Sequence, residues 1–173
     1  KSVLENLELY ISKGDRVCLV GRNGCGKSSL MKIIEGEYEL DNGEMFKDPS
    51  ISIGYLKQDM KIELDGNIYN FVLSAFDDPE GNKYSADIIL KQLGIDANMQ
   101  LKSCSGGQLR RVCLARSLIT QPDILLLDKA TNHLDIKIIE WLEDYIKNYP
   151  GAVICISHDR AFQENISNKV WWI

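Results

Sequence analysis

No stretch of the 173-residue sequence reaches the roughly 18–20 uninterrupted apolar residues that a membrane span needs. Its first residues, Lys1-Ser2-Val3-Leu4, carry neither a secretory apolar core nor a transit-peptide composition. If the domain serves a membrane transporter, the channel is therefore expected on another chain. A basic surplus is missing too. The net charge of −5 argues against a broad surface for nucleic acid and leaves room only for a local patch. Five cysteines (Cys18, Cys25, Cys104, Cys113, Cys155) form no C-x-x-C pair. Cys18, Cys113 and Cys155 sit inside apolar runs, so they read as small core residues in a reducing compartment, not as zinc ligands or disulfide partners. There is no internal repeat and no low-complexity tract. What remains is the composition of an ordinary globular domain, long enough to bury a substantial core.

Three short runs are almost wholly apolar: Val17–Val20, Ile124–Leu127 and Ala152–Ile156. Runs this short, without alternation, suit central parallel strands covered on both faces by helices. Each is followed by polar or glycine-rich residues and then a helix-like segment. This rhythm predicts an α/β fold with a mostly parallel core sheet and ligand chemistry at the carboxyl ends of the strands. The flanks read differently. Leu7, Leu9 and Ile11 alternate with polar neighbours, and with Gly43–Lys47 and Ile51–Lys57 they predict an antiparallel β region. Between about Gly66 and Gly94 the pattern turns helical in two pieces separated by the loop 77–82, which places a small helical subdomain at about residues 59–120. A final helix is predicted from about Asp135, stopped by Pro150-Gly151.

The strongest local pattern is Gly21-Arg22-Asn23-Gly24-Cys25-Gly26-Lys27-Ser28, followed by Ser29. It fits G-x-x-x-x-G-K-[ST] and stands between an apolar run and an amphipathic helix, as that pattern requires. Glycines let successive backbone N–H groups face phosphate oxygens, and the helix start adds the positive end of its dipole. Lys27 is then positioned for the outer phosphates and the Ser28 hydroxyl for magnesium. The run Ile124–Leu127 ends in Asp128, a carboxylate at a strand's carboxyl end that suits a magnesium ion beside the phosphates. Further on, Cys104-Ser105-Gly106-Gly107-Gln108 precedes a helical segment; Ser105 is a good N-cap, and the glycines expose amides that make a second anion site.

These motifs, in this order, resemble the nucleotide-binding cassette of the ATP-binding-cassette (ABC) superfamily, whose signature the segment 104–108 matches. The resemblance covers nearly the whole chain and extends to further motifs. Gln58 in Tyr55-Leu-Lys-Gln58-Asp59 matches the Q-loop glutamine, which in the family touches magnesium and the attacking water. Ala130-Thr-Asn-His-Leu-Asp135 matches the D-loop, and Ser157-His158-Asp159-Arg160 matches the switch-histidine loop. The resemblance implies ATP and Mg2+ as cofactors. It assigns residues 21–29, Ser105, Gly106, Gly107, Gln108 and Asp135 to nucleotide binding, Ser28, Gln58 and Asp128 to the metal, and Gln58 and His158 to catalysis. It also implies a head-to-tail partner, a second cassette on the same full-length chain or in a homodimer, clamped by ATP.

Within the superfamily, the Asn-His-Leu-Asp form of the D-loop and Ile-Ser-His-Asp-Arg-Ala-Phe resemble the cytoplasmic ABC-F class, and the P-loop neighbourhood is similar to the first cassette of Uup-type proteins. The resemblance therefore implies a tandem-cassette protein associated with ribosomes and translation, of which residues 1–173 are one domain. The alternatives are the ATP-binding subunit of a membrane transporter and a clamp for DNA maintenance. Direct membrane insertion is not expected. Any contact with ribosome or RNA is expected through parts outside this chain, because the segment from Gln58 to the signature is short and acidic.

The sequence departs from the family at one chemically decisive place. After the Asp at the strand end the family carries Glu, the general base; here stands Lys129. An ammonium has no lone pair for the water proton. Lys129 therefore predicts a site that binds ATP and turns it over slowly, its charge set near the terminal phosphate. The alternative is a lysine turned to solvent, with another base. Cys104 replaces the usual Leu, and no aromatic is assigned to stack on the base: Tyr10 is expected on a strand.

Overall fold

The computed structural model describes residues 4–5, 7–58 and 65–173. Its centre is a five-stranded sheet: β1 (Arg16–Val20), β2 (Ile53–Leu56), β3 (Ile124–Asp128), β4 (Ala152–Ile156) and β5 (Lys169–Trp172), in spatial order β2-β3-β4-β1-β5. Every neighbouring pair is parallel, with Leu56 opposite Leu127, Asp128 opposite Ile156, and Cys18 opposite Cys155. The three apolar runs are β1, β3 and β4. They lack alternation because both sheet faces are covered. Cys18, Leu125, Leu127, Val153 and Cys155 face one hydrophobic cluster; Val17, Leu19, Leu126, Ile154 and Ile156 face the other. Burial holds the Cys18 and Cys155 thiols up and pushes Cys113 to about 11, as expected of inert core thiols.

Helices α1 (Lys27–Glu35), α2 (Ile68–Leu73), α3 (Lys83–Gln92), α4 (Gly106–Leu118), α5 (Ile136–Lys147) and α6 (Arg160–Ile166) complete the fold. Leu30 and Met31 of α1 pack on the second cluster. The first cluster collects apolar residues of α2 to α6, including Val72, Leu90, Leu114, Leu142 and Phe162. Asn67 caps α2, Ser105 caps α4, Asp135 caps α5 and Asp159 caps α6, each side chain accepting a backbone N–H of the first turn.

Three expectations are corrected. Among the described residues no antiparallel strand pair forms; an isolated bridge, Asn67 with Gln100, is antiparallel. Residues 7–12 and 43–47 are not strands. Leu9 and Ile11 do lie against the second cluster, so their alternation reports one wet face. A strand also needs a neighbour for its hydrogen bonds, and among the described residues none pairs with them. The segment 51–57 is a strand as expected, but as β2 it joins the parallel sheet at its edge. The helix after Asp135 is not the last: α6 follows, and then β5, whose pattern of one buried residue in four hid it from the sequence. Residues 59–64, where the predicted helical subdomain begins, lie outside the described residues.

Candidate functional site

The loop after β1 is shaped by what its residues lack. A side chain at Gly21 would put a Cβ 2.4 Å from the Ile173 carbonyl oxygen and 2.7 Å from Cys25 Sγ. Gly26 sits at φ 101°, where a Cβ is strained, and begins α1 with no side chain capping the exposed N–H groups. Lys27 folds back over this loop: its buried Nζ donates to the carbonyls of Gly21 at 2.9 Å and Arg22 at 2.8 Å. The resulting amide cradle opens onto a cleft of about 540 Å³. Residues 23–24 and 26–29 line one wall, and Lys129, Ile156 and His158 line the other.

Sheet order explains how that second wall arrives. β1 and β3 are separated by β4, which ends at Ile156, a residue lining the cleft. Ser28, at the start of α1, reaches across to β3 and donates from Oγ to Asp128 Oδ2 at 2.7 Å, although the two are 100 positions apart. Asp128 is 1% exposed, and its other oxygen, Oδ1, is buried without a hydrogen-bond partner. A buried carboxylate with an unmatched oxygen, beside a serine hydroxyl and an anion cradle, is costly as it stands. It has the hard oxygen donors that Mg2+ selects, so the residues fit that ion. Nearby, burial holds the Tyr55 phenol above its ordinary range, reinforced by the Asp128 charge and by a side-chain hydrogen bond to that carboxylate.

Lys129 adopts φ 54°, rare for a residue with a side chain, and its N–H donates to Ile156 at 2.8 Å, continuing the β3–β4 ladder one step past Asp128. His158 is exposed and lines the same cleft. The loop carrying it is fixed from below: buried Ser157 pairs with Thr131 at 3.3 Å and accepts the Asp159 N–H at 3.0 Å.

Other sequence-assigned residues stand outside this cleft. Gln58 is exposed at the end of β2 and does not line it. Ser105, Gly106, Gly107 and Gln108 form the start of α4, and Gln108 is engaged in a capping box, its Oε1 accepting the Ser105 N–H at 2.8 Å. Asp135 accepts the Ile138 N–H at 3.1 Å as the cap of α5. Gly107 has little room beside residue 133 of its own chain: a Cβ there would lie 3.3 Å from the His133 carbonyl oxygen. Sequence reasoning missed Arg110, whose guanidinium ties the ends of β2 and β3 together. The available signal was a pair of arginines on a helix whose neighbours Val112–Ala115 are buried.

A family profile described as ABC transporter matches residues 4–132. The ATP-binding protein Uup of Buchnera aphidicola subsp. Schizaphis graminum is 41% identical over 97% of this chain and 29% of its own length. The energy-dependent translational throttle protein EttA of Mycobacterium tuberculosis is 29% identical over 100% of this chain and 38% of its own length. The chain thus spans well under half of these curated relatives. A dimeric ATP-binding cassette solved in a post-hydrolysis state with ADP and Pi superposes with a TM-score of 0.85 at 24% identity, covering 99% of this chain and 86% of that one. That likeness establishes the fold. Among the described residues, no helix is long and apolar enough to cross a membrane.

Proposed function

Because the chain belongs to the ABC transporter family, as a cassette of the Uup and ABC-F kind, we propose that its cleft binds ATP with magnesium and that the cassette closes head to tail on a second one. The observation that carries this reading is the Ser28–Asp128 pair at the edge of the glycine cradle, with Asp128 Oδ1 buried and unmatched. Ser28 and Asp128 would hold the ion, which when bound neutralises phosphate charge. Gln58 is assigned to the same ion, although it lies outside the cleft wall. Lys27 exchanges its two carbonyl acceptors for phosphate oxygens, a stronger charge-assisted contact. Amides of residues 24–28 hold the phosphate tail, and His158 faces the terminal phosphate. The signature residues Ser105–Gln108 and the D-loop residue Asp135 serve the nucleotide of the partner cassette. This explains why they lie outside the cleft of their own chain.

Lys129 sets the rate. It lines the cleft where a general base is needed and cannot take a proton from water, a loss of about 10²–10⁴ in turnover. The cassette therefore acts as a slow clamp. We propose further that the whole protein is a cytoplasmic, tandem-cassette protein that works on translation, with residues 1–173 as one unit of it and the helices of residues 59–120 as a subdomain. The name of one relative, a translational throttle protein, supports the link to translation. Calorimetric titration with Mg-ATP tests the binding: micromolar affinity is expected, and Lys27→Ala abolishes it. Turnover of Lys129→Glu should exceed the parent's by at least tenfold; equal, brisk rates in both would refute the slow clamp. In the full-length protein a second cassette and co-sedimentation with ribosomes are expected. A membrane subunit in their place would reassign the cassette to a transporter.

A further inference from the structure

Arg110 lies on the second turn of α4, outside the cleft, yet its guanidinium joins the two strand ends that carry Gln58 and Asp128. Nη1 donates to the carbonyl of Lys57 at 2.6 Å and to that of Gln58 at 3.4 Å. Nη2 donates to the carbonyl of Asp128 at 2.7 Å and to that of Lys129 at 3.1 Å. β2 and β3 are sheet neighbours, with Leu56 opposite Leu127, so these carbonyls lie just where the ladder stops. Strand pairing no longer holds the two exits in register there; the planar fork does.

The same helix presents Ser105, Gly106 and Gly107 five to three residues earlier, about 7.5 to 4.5 Å along its axis. A helix this short moves as a rigid piece. An adjustment of the Asp128–Lys129 exit on filling of the cleft would act on α4 through this fork. The start of α4 lies close to the segment carrying His133: a Cβ placed on Gly107 would come 3.3 Å from the His133 carbonyl oxygen. We propose that Arg110 is a positioning residue that couples filling of the cleft to the set of the α4 N-terminus in the same chain. Its role is to ready the signature before any partner arrives. The inference rests on the nucleotide reading of the cleft.

The test is hydrogen exchange at the amides of residues 106–109, with and without saturating Mg-ATP. The protein is kept at a concentration where sedimentation shows single chains, so that no partner's nucleotide covers the signature. In the parent, Mg-ATP is expected to slow exchange there at least fivefold. Arg110→Lys keeps the charge but cannot satisfy both strand exits at once. It is expected to bind Mg-ATP within about threefold of the parent while losing most of that nucleotide-dependent difference. Arg110→Gln serves as the second variant, with the same expectation, should the lysine variant not fold. If Arg110 only glues the fold, exchange in the variant rises equally with and without nucleotide and the difference survives, which overturns the coupling. A parent that binds Mg-ATP but shows no change at 106–109 overturns it as well. A parent that binds no Mg-ATP brings down the nucleotide reading, and the coupling with it.

Discussion

At the scale of single residues, the site is built from groups in costly states. Lys129 is held at φ 54°, where an L-residue with a side chain loses roughly 1–2 kcal/mol. Glycine at this position would relieve that strain but lose more entropy on folding, roughly 0.5–1 kcal/mol. The two offset, so Lys129→Gly should keep its melting temperature within a few degrees of the parent. What the variant does lose is a cation on the cleft wall. If the ammonium serves the phosphates, Mg-ATP affinity falls roughly tenfold, or about 1.4 kcal/mol. A calorimetric Kd equal to the parent's would show that the lysine faces solvent and that its charge is idle. The lysine's place beside the site was readable in the sequence, because position 129 follows the strand-end carboxylate directly. Its backbone angle was not: no residue pattern announces a lysine in the left-handed region.

Elements were legible to the degree that burial dictates composition. β1, β3 and β4 are covered on both faces, so their apolar runs were unmistakable. β5 is an edge strand that buries Trp171 and leaves Val170 and Trp172 exposed, and nothing in Lys169–Trp172 separates it from a loop. Residues 7–12 failed in the opposite direction, since alternation marks a half-buried chain whether or not a neighbouring strand exists. Caps were the most readable local signal, because they depend on side chains three residues apart. Ser105 was visible in this way, and the structure adds Gln108 as its reciprocal partner in a capping box. That box has a measurable consequence. Ser105→Ala removes an acceptor for the Gln108 N–H and should cost about 1 kcal/mol, a fall of roughly 2–4 °C in melting temperature. Affinity of the single chain for Mg-ATP should be unchanged, since the box lies outside the cleft. A variant that melted normally but bound nucleotide poorly would place α4's start inside the cis site instead. Arg110 was opaque for the complementary reason: its partners are backbone carbonyls, which every residue has.

For the whole molecule, strand order converts distant sequence positions into one wall. Ser28 and Asp128 meet because β4 is the only strand between β1 and β3, and the carboxylate at that junction is buried with one oxygen unmatched. Such a group opposes folding in the empty protein and favours the loaded one. Asp128→Asn keeps the shape and an oxygen to accept from Ser28 while removing the buried charge, whose desolvation exceeds that of a neutral amide. The empty variant is therefore expected to melt at or above the parent's temperature. The parent should gain with ligand: at a hundredfold excess over Kd, Mg-ATP adds about 2.7 kcal/mol, which corresponds to roughly 5–11 °C for a chain of this size. In Asp128→Asn most of that gain should vanish, and chelating the metal should erase the parent's gain while leaving the variant's melting curve where it was. The opposite pattern, an empty variant several degrees less stable that keeps the full metal-dependent shift, would mean that Asp128 supports the sheet and that the ion is held elsewhere.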